Sequence, residues 1–182
     1  MEENKNTKKD EIEMGAMDWV KAFIFAVILS LLIKNYVFEP TKVSGSSMEE
    51  TLHDNDRLIV SKISLKFKEL KRGDIVIMKY DEHDDYVKRI VGMPGEVVQV
   101  IDGGVYINGE LFEEDYINTD YTENIVGFEW KLDADEYFLM GDNRLPGKSK
   151  DSRDFGPVKV DRIIGKAVFR FYPFGQAFGG LY

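Results

Sequence analysis

There is no cysteine among the 182 residues, which removes thiol nucleophiles, disulfides and cysteine-ligated zinc in one step. Histidine is nearly absent too: His53 and His83 are the two in the chain. They lie far apart and in no HExxH-like pattern, so a metal site or a Ser/His/Asp triad would need unusual geometry. Any hydrolytic chemistry must therefore find its base elsewhere. Basic charge is in deficit, with 24 Lys and Arg against 33 Asp and Glu and a formal net charge of -9. That balance excludes the basic surplus that binds phosphate backbones, so nucleic acid is not an expected partner. No internal repeat and no long Pro- or Ser-rich linker divides the chain, which is long enough for one domain with a real core.

Long apolar runs are scarce as well, and the one that exists is informative. Residues 1–17 are polar, of mixed charge and without apolar period, and read as a flexible tail. From Trp19 the composition shifts, and Ala22 to Ile33 (AFIFAVILSLLI) is nearly unbroken apolar, flanked by Lys21 and Lys34. Roughly 20 helical residues suffice to cross a bilayer. Lysines can snorkel from the ends, and Trp19, Tyr36 and Phe38 sit where interfacial aromatics would. A buried core helix is the alternative, but the run is apolar on all faces rather than on one. No small-x-small cleavage site follows Ile33, so the segment is expected to stay attached. The expected organisation is a tail over 1–17, a transmembrane anchor helix over 18–38 and a β-rich domain over 39–182. Lys5, Lys8, Lys9 and Lys21 precede the apolar core, which favours the tail inside and the domain outside a cell membrane.

After Val43 the pattern changes to short extended runs: Arg57 to Ser61, Asp74 to Lys79, Tyr86 to Val91, Glu96 to Ile101, Gly104 to Ile107, Gly127 to Leu132, Glu136 to Met140 and Ile163 to Phe171. Turn signals separate them, including Met93-Pro94-Gly95 and the hairpin signal Asn108-Gly109. Many short strands without long helical patterns predict a mostly β fold, antiparallel sheets forming a small barrel-like domain. The acidic cluster Asp81 to Asp85 lacks the alternating ligands and turn glycine of a calcium loop and reads as a solvated hairpin tip.

Three segments carry candidate chemistry. Val43 to Leu52 (VSGSSMEETL) presents small hydroxyl residues beside a glycine, where a backbone can approach a substrate; Ser/Gly clusters are also ordinary turn formers. Tyr86 to Val91 reads as a strand apolar on both faces, so Lys88 within it should lose hydration. Desolvation lowers a lysine pKa and makes a neutral amine available as a base near pH 7. The alternative is a lysine whose stem packs on the sheet while its ammonium reaches water. Gly141 to Arg153 (GDNRLPGKSKDSR) is either a polar turn with surface ion pairs or a rigid loop in which opposed Asp and Arg side chains, and a hydroxyl such as that of Ser149, orient a catalytic amine.

Taken together, an uncleaved N-terminal anchor, FEPTKV before a serine followed by Met and Thr-Leu, YVKR followed by GMPG, and GDNR followed by SKDSR resemble a bacterial type I signal peptidase. The resemblance runs from Trp19 to Phe174. It implies that Ser47 is the nucleophile and Lys88 the general base of a Ser/Lys dyad. It places Gly45 at the oxyanion position, with the backbone N–H of Ser47 as chief donor, and gives Ser149 the role of positioning the lysine amine. Met48, Arg89, Asp142, Arg144, Asp151 and Arg153 match the supporting residues. No metal and no organic cofactor is implied. The partners implied are preproteins with signal peptides, cut after small-x-small sites, and the lipid bilayer.

Two departures from the family pattern stand out. Glu50 replaces the proline usual before Thr-Leu, which either brings a carboxylate toward Lys88 or points to solvent. Leu145 to Lys148 lengthen the stretch between GDNR and Ser149. The alternative function is a catalytically retired relative acting as a membrane-tethered scaffold or chaperone in envelope assembly; a Ser/Lys peptidase that cuts itself or a regulator is a third reading.

Overall fold

The computed structural model describes residues 15–63, 70–175 and 178–181, the side chains of residues 16 and 35 excepted. Most of the expected tail, with Lys5, Lys8 and Lys9, lies outside the described residues. Helix α1 spans Ala16–Tyr36 and passes directly into strand β1, Phe38–Lys42, so the anchor boundary expected at Phe38 falls on the first residue of a strand. The large apolar side chains of α1, Phe23, Phe25, Ile28 and Leu31 among them, are exposed. With its apolar residues distributed around the whole circumference, α1 has no single face to bury against a sheet. Among the described residues no helix is long and apolar enough to cross a membrane; Asp18, Lys21 and Lys34 all fall within α1.

The rest is antiparallel β. The larger sheet has eight strands in the order β1, β2 (Arg57–Ser61), β11 (Ile163–Tyr172), β3 (Ile75–Lys79), β4 (Asp85–Gly92), β9 (Glu136–Met140) and β10 (Val158–Lys159), with β12 (Gly179–Gly180) beside β11. Its edge strands β1 and β10 do not pair with each other, so the sheet is open rather than a closed barrel. The second sheet orders β7 (Glu110–Leu111), β6 (Gly104–Ile107), β5 (Val97–Ile101) and β8 (Glu129–Lys131). All eight predicted strands are present. The four not predicted, β1, β7, β10 and β12, are short or edge strands, where the period-2 signal is weakest; Pro40 in β1 suits an edge, since it has no N–H to give a neighbour. Asn108 and Gly109, at φ 53° and 85°, form the expected tight turn between β6 and β7. Asp81 to Asp85 are exposed at the β3–β4 end, where the Asp81 carboxylate accepts from the His83 and Asp84 amides at 2.8 Å each.

Alternation distributes the core. Ile75 and Ile77 of β3 join Leu58, Val60, Val43, Met48 and Leu52 in one cluster, while Val76 and Met78 join Ile90, Leu139 and Ile163 in another. The β5–β6 hairpin packs Val98, Val100 and Val105 on Val91, Phe138 and Met140 in a third. Strand β4 feeds all three clusters, through Val87, Ile90 and Val91, and is buried from Lys88 to Gly92 as predicted.

Candidate active site

The segment after β1 is anchored by its apolar residues and leaves its hydroxyls out. Val43, Met48 and Leu52 are buried in the core, whereas Ser44 and Gly45 are exposed and Ser46 and Ser47 half-buried. Backbone bonds from Val43 N–H to Asp56 O (2.8 Å) and Leu52 N–H to Met48 O (2.8 Å) close the turn. Gly45 takes φ +89°, a left-handed conformation that side chains resist, and its N–H donates to Asp54 Oδ1 at 3.0 Å. Met48 thus supports the site by pinning the residue next to Ser47 in the core.

Lys88 Nζ donates to Ser47 Oγ at 2.7 Å. The lysine is 3% exposed, which excludes the alternative of a solvated ammonium. Burial pulls its pKa from 10.5 down to about 8; Asp151 and Asp142 act to raise it and Arg153 to lower it. The carboxylates felt by Lys88 are therefore those of the GDNR and SKDSR segments. Glu50 is exposed and is not among the groups acting on the amine.

Those carboxylates have arginine partners of their own. Arg89 binds Asp142 bidentately, Nε to Oδ1 at 2.8 Å and Nη2 to Oδ2 at 2.5 Å. Arg153 binds Asp151 through Nε at 2.9 Å and Nη2 at 2.8 Å, and Arg144 binds Glu114 through both Nη atoms at 2.8 and 2.5 Å. Burial alone would raise the Asp151 carboxyl, but Arg153, the Ser149 hydroxyl and the Gly141 amide together hold it below the usual carboxylate range. With each buried acid matched to a guanidinium, Lys88 keeps no ion-pair partner of its own among the described residues. That is the condition for a lysine to lose its proton near neutrality.

Every site residue named from the sequence is brought to this region or to its support. Ser149 is buried, and its Oγ donates to Asp151 Oδ2 at 2.7 Å. Gly141 explains how the segments close together. A Cβ built there would stand 2.3 Å from Ser149 Oγ and 2.4 Å from the Ser47 carbonyl oxygen, so only glycine lets the two approach.

Sequence reasoning missed a further set. Asn143 donates its N–H to Ser47 O at 3.1 Å and its Nδ2 to Ser46 O at 2.9 Å. Asn118 donates to Asn143 Oδ1 at 2.8 Å and accepts from the Arg144 N–H at 2.9 Å. Tyr116 donates to Glu114 Oε1 at 2.7 Å, and its ring lies 4.0 Å from the Arg89 guanidinium carbon. Glu114, Tyr116 and Asn118 stand at alternate positions, the spacing that turns side chains of an extended segment to one side. That alternation was the available signal; it is short, mixed in polarity and outside any strand.

Two cavities adjoin Ser47 and Lys88. One of about 350 Å³ is lined by Val43, Ser47, Met48, Ile77, Val87 and Lys88 among others, and one of about 230 Å³ by Ser44 to Ser47, Tyr86, Lys88, Lys148 and Lys150.

The family model described as signal peptidase, peptidase S26, matches residues 16–172. The chain is 42% identical to a signal peptidase I of Bacillus licheniformis, covering 97% of each, and 43% identical to signal peptidase I T of Bacillus subtilis (strain 168), covering 96% of each. Among solved structures it is similar to a signal peptidase I of Enterococcus faecalis V583, with 32% identity, a TM-score of 0.45, and coverage of 53% of this chain and 95% of that one.

Proposed function

The chain belongs to the signal peptidase family, peptidase S26, and on that premise we propose that it is a membrane-anchored serine endopeptidase working through a Ser47/Lys88 dyad. Its activity is the removal of signal peptides from preproteins. The observation that carries the dyad is the 2.7 Å contact between Lys88 Nζ and Ser47 Oγ, made by a lysine whose burial brings its pKa to about 8.

Neutral Lys88 accepts the Ser47 proton as Oγ attacks the scissile carbonyl carbon. The negative charge that develops on the carbonyl oxygen is met by backbone donors, chiefly the Ser47 N–H, beside the open space at Gly45. The lysine ammonium then protonates the departing amine, leaving an ester on Ser47. Lys88, neutral again, takes a proton from water, which hydrolyses that ester and restores the serine. Ser149, by donating to Asp151, turns its lone pairs outward and can accept from the Lys88 amine, orienting it. Asp142, Asp151, Arg89, Arg144 and Arg153 hold the two loops in one geometry.

The 350 Å³ cavity, with Val43, Met48, Ile77 and Val87 in its walls, suits the small apolar residues that precede the cut. We assign α1 to the bilayer, with the preceding tail cytoplasmic and the domain on the outer face: the charges that keep the helix from being apolar along its whole length, Asp18, Lys21 and Lys34, stand near its two ends, and the stretch between them is apolar. Its all-round exposed apolar surface supports this, and Lys21 and Lys34 are long enough to snorkel. The exposed cluster Tyr172, Phe174 and Phe178 would rest on the membrane surface. Tethering enzyme and membrane-held substrate at one surface raises their effective concentration.

The test is cleavage of a purified preprotein with a small-x-small site by the detergent-solubilised protein, Ser47→Ala and Lys88→Ala. Cleavage after the small residue that is lost in both variants is the expected result. A wild type that folds and cuts nothing would favour the scaffold reading.

A further inference from the structure

Ser47 and Lys88 lie between two spaces that share Ser44, Ser47, Tyr86 and Lys88 but differ in their charged lining. The larger has Val43, Met48, Ile77 and Val87 in its walls, with Asp84 and Asp85 but also Lys42 and His83 among its other lining residues. The smaller has no carboxylate in its lining and carries two lysines besides Lys88, namely Lys148 and Lys150. Both belong to the stretch between Arg144 and Ser149 or directly after it, the region where the sequence runs longer than the family pattern.

That stretch is not free to wander. Arg144 and Ser149 are buried at 1% and 5% exposure, so the excursion is fixed at both ends. Its tip is a turn closed by the Lys148 N–H to Leu145 O at 3.1 Å, with Gly147 at φ +69°. The Lys150 ammonium sits 4.6 Å from the ring centroid of Tyr80, which in turn stacks at 4.5 Å on Tyr86, a wall residue of both spaces. The aromatic pair therefore holds this cation at the mouth of the smaller space while leaving it exposed to solvent and to ligand.

A peptide whose acyl side occupies the apolar space must carry its leaving side away from it, past Ser47. Resting on the peptidase reading above, we infer that the smaller cavity receives the first residues after the scissile bond. There Lys148 and Lys150 select substrates with an aspartate or glutamate at the first or second of those positions, over substrates with a lysine. This makes the extra loop a specificity element of the leaving side. Attraction by exposed ammonium groups amounts to about fivefold per pair and fades as salt screens it.

The experiment uses the full chain in detergent and three signal-peptide substrates identical up to the cut. They are followed by Asp-Asp, Ser-Ser or Lys-Lys. The readout is the ratio of kcat/KM for the Asp-Asp substrate to that for the Lys-Lys substrate, so that any general change in activity cancels. The wild type should give a ratio of about ten or more at low salt, falling toward one at about 1 M salt. Lys148→Glu/Lys150→Glu should bring it to one or below, while Lys131→Glu/Lys159→Glu, an exposed double change of equal charge in β8 and β10, should leave it as in the wild type. A wild-type ratio near one, or a ratio unmoved by the double change, overturns the proposal. Binding of the same three peptides to Ser47→Ala is measured in parallel. If the wild type cuts none of the substrates, the peptidase reading fails, and equal binding of the Asp-Asp and Lys-Lys peptides then separately sinks the charged subsite.

Discussion

Asn143 holds Ser47 from behind: its backbone N–H donates to the Ser47 carbonyl oxygen at 3.1 Å, while its side-chain amide holds the Ser46 carbonyl at 2.9 Å. Ser47 is thus positioned by the GDNR loop through main-chain atoms, and the loop is itself held by Asn118. Asn143→Ala keeps the first bond and loses the second. Since a shift of about 1 Å can cost on the order of 100-fold, kcat should fall ten- to hundredfold with KM little changed. Steady-state kinetics on a variant with unchanged circular dichroism checks this. Asn118→Ala, one step removed, should cost less.

The pH profile follows from Lys88. With its pKa brought to about 8 by burial, kcat/KM should rise with pH through that value and level off above it. A profile flat from pH 6 to 10 on a chemistry-limited substrate would exclude Lys88 as the base.

The same desolvation has a stability cost with a defined sign. Lys88 titrates near 8 when folded and near 10.5 when unfolded. Below pH 8 both states hold the proton and the folded state bears the full penalty; between 8 and 10.5 only the unfolded state holds it, so stability rises with pH there and flattens beyond. Lys88→Met, at pH 7, should be more stable than the wild type by up to about 3 kcal/mol. The difference should close above pH 10.5, as read by chemical denaturation across pH.

Gly141→Ala tests the close approach of the two loops. The added methyl meets Ser149 Oγ at 2.3 Å and the Ser47 carbonyl at 2.4 Å, so one of them must move. Activity should drop by about 100-fold or more. Gly147→Ala, in open space on the loop tip, meets only the strain of its positive φ and should leave the fold's core contacts unchanged.

Glu114 and Arg144 are 3% and 0% exposed at their side chains. Glu114→Ala strands a buried guanidinium and should cost about 3–5 kcal/mol of stability. Adding Arg144→Met removes the stranded charge and should recover part of that loss, a non-additivity measurable by denaturant titration.

The eight predicted strands were legible because alternation and turn residues coincide in them, as in Arg57–Ser61 or Glu136–Met140. Lys88 stood out because an ammonium is costly between two apolar faces, and Ser47 because it belongs to a motif. Asn118, Tyr116 and Glu114 were not legible in the same way. Asn118 and Glu114 sit 25 to 30 residues from their partners in the GDNR loop, and Tyr116 packs on Arg89 of β4, all on a segment with no ladder to give it a period. The edge strand β1 was hidden for another reason: with Phe38, Pro40 and Lys42 exposed on one face and Glu39 and Thr41 only half-buried on the other, its alternation carries little apolar contrast.

Strand β4 sets Lys88 beside Arg89, and the two side chains leave on opposite faces. On the proposed mechanism, register in this strand is accordingly a catalytic variable. A slip by one residue would offer Ser47 a guanidinium, which does not give up its proton at any pH at which proteins fold. The irregularity between Ile90 and Gly92 in the pairing with β9 helps forbid that slip, because a bulge fits its partner strand at one alignment only. Gly92, where a Cβ would meet Val98, Phe138 and Leu132 within 3 Å, locks the alignment from the side of the core. The choice between Lys88 and Arg89 at Ser47 is therefore made by packing several residues down the chain.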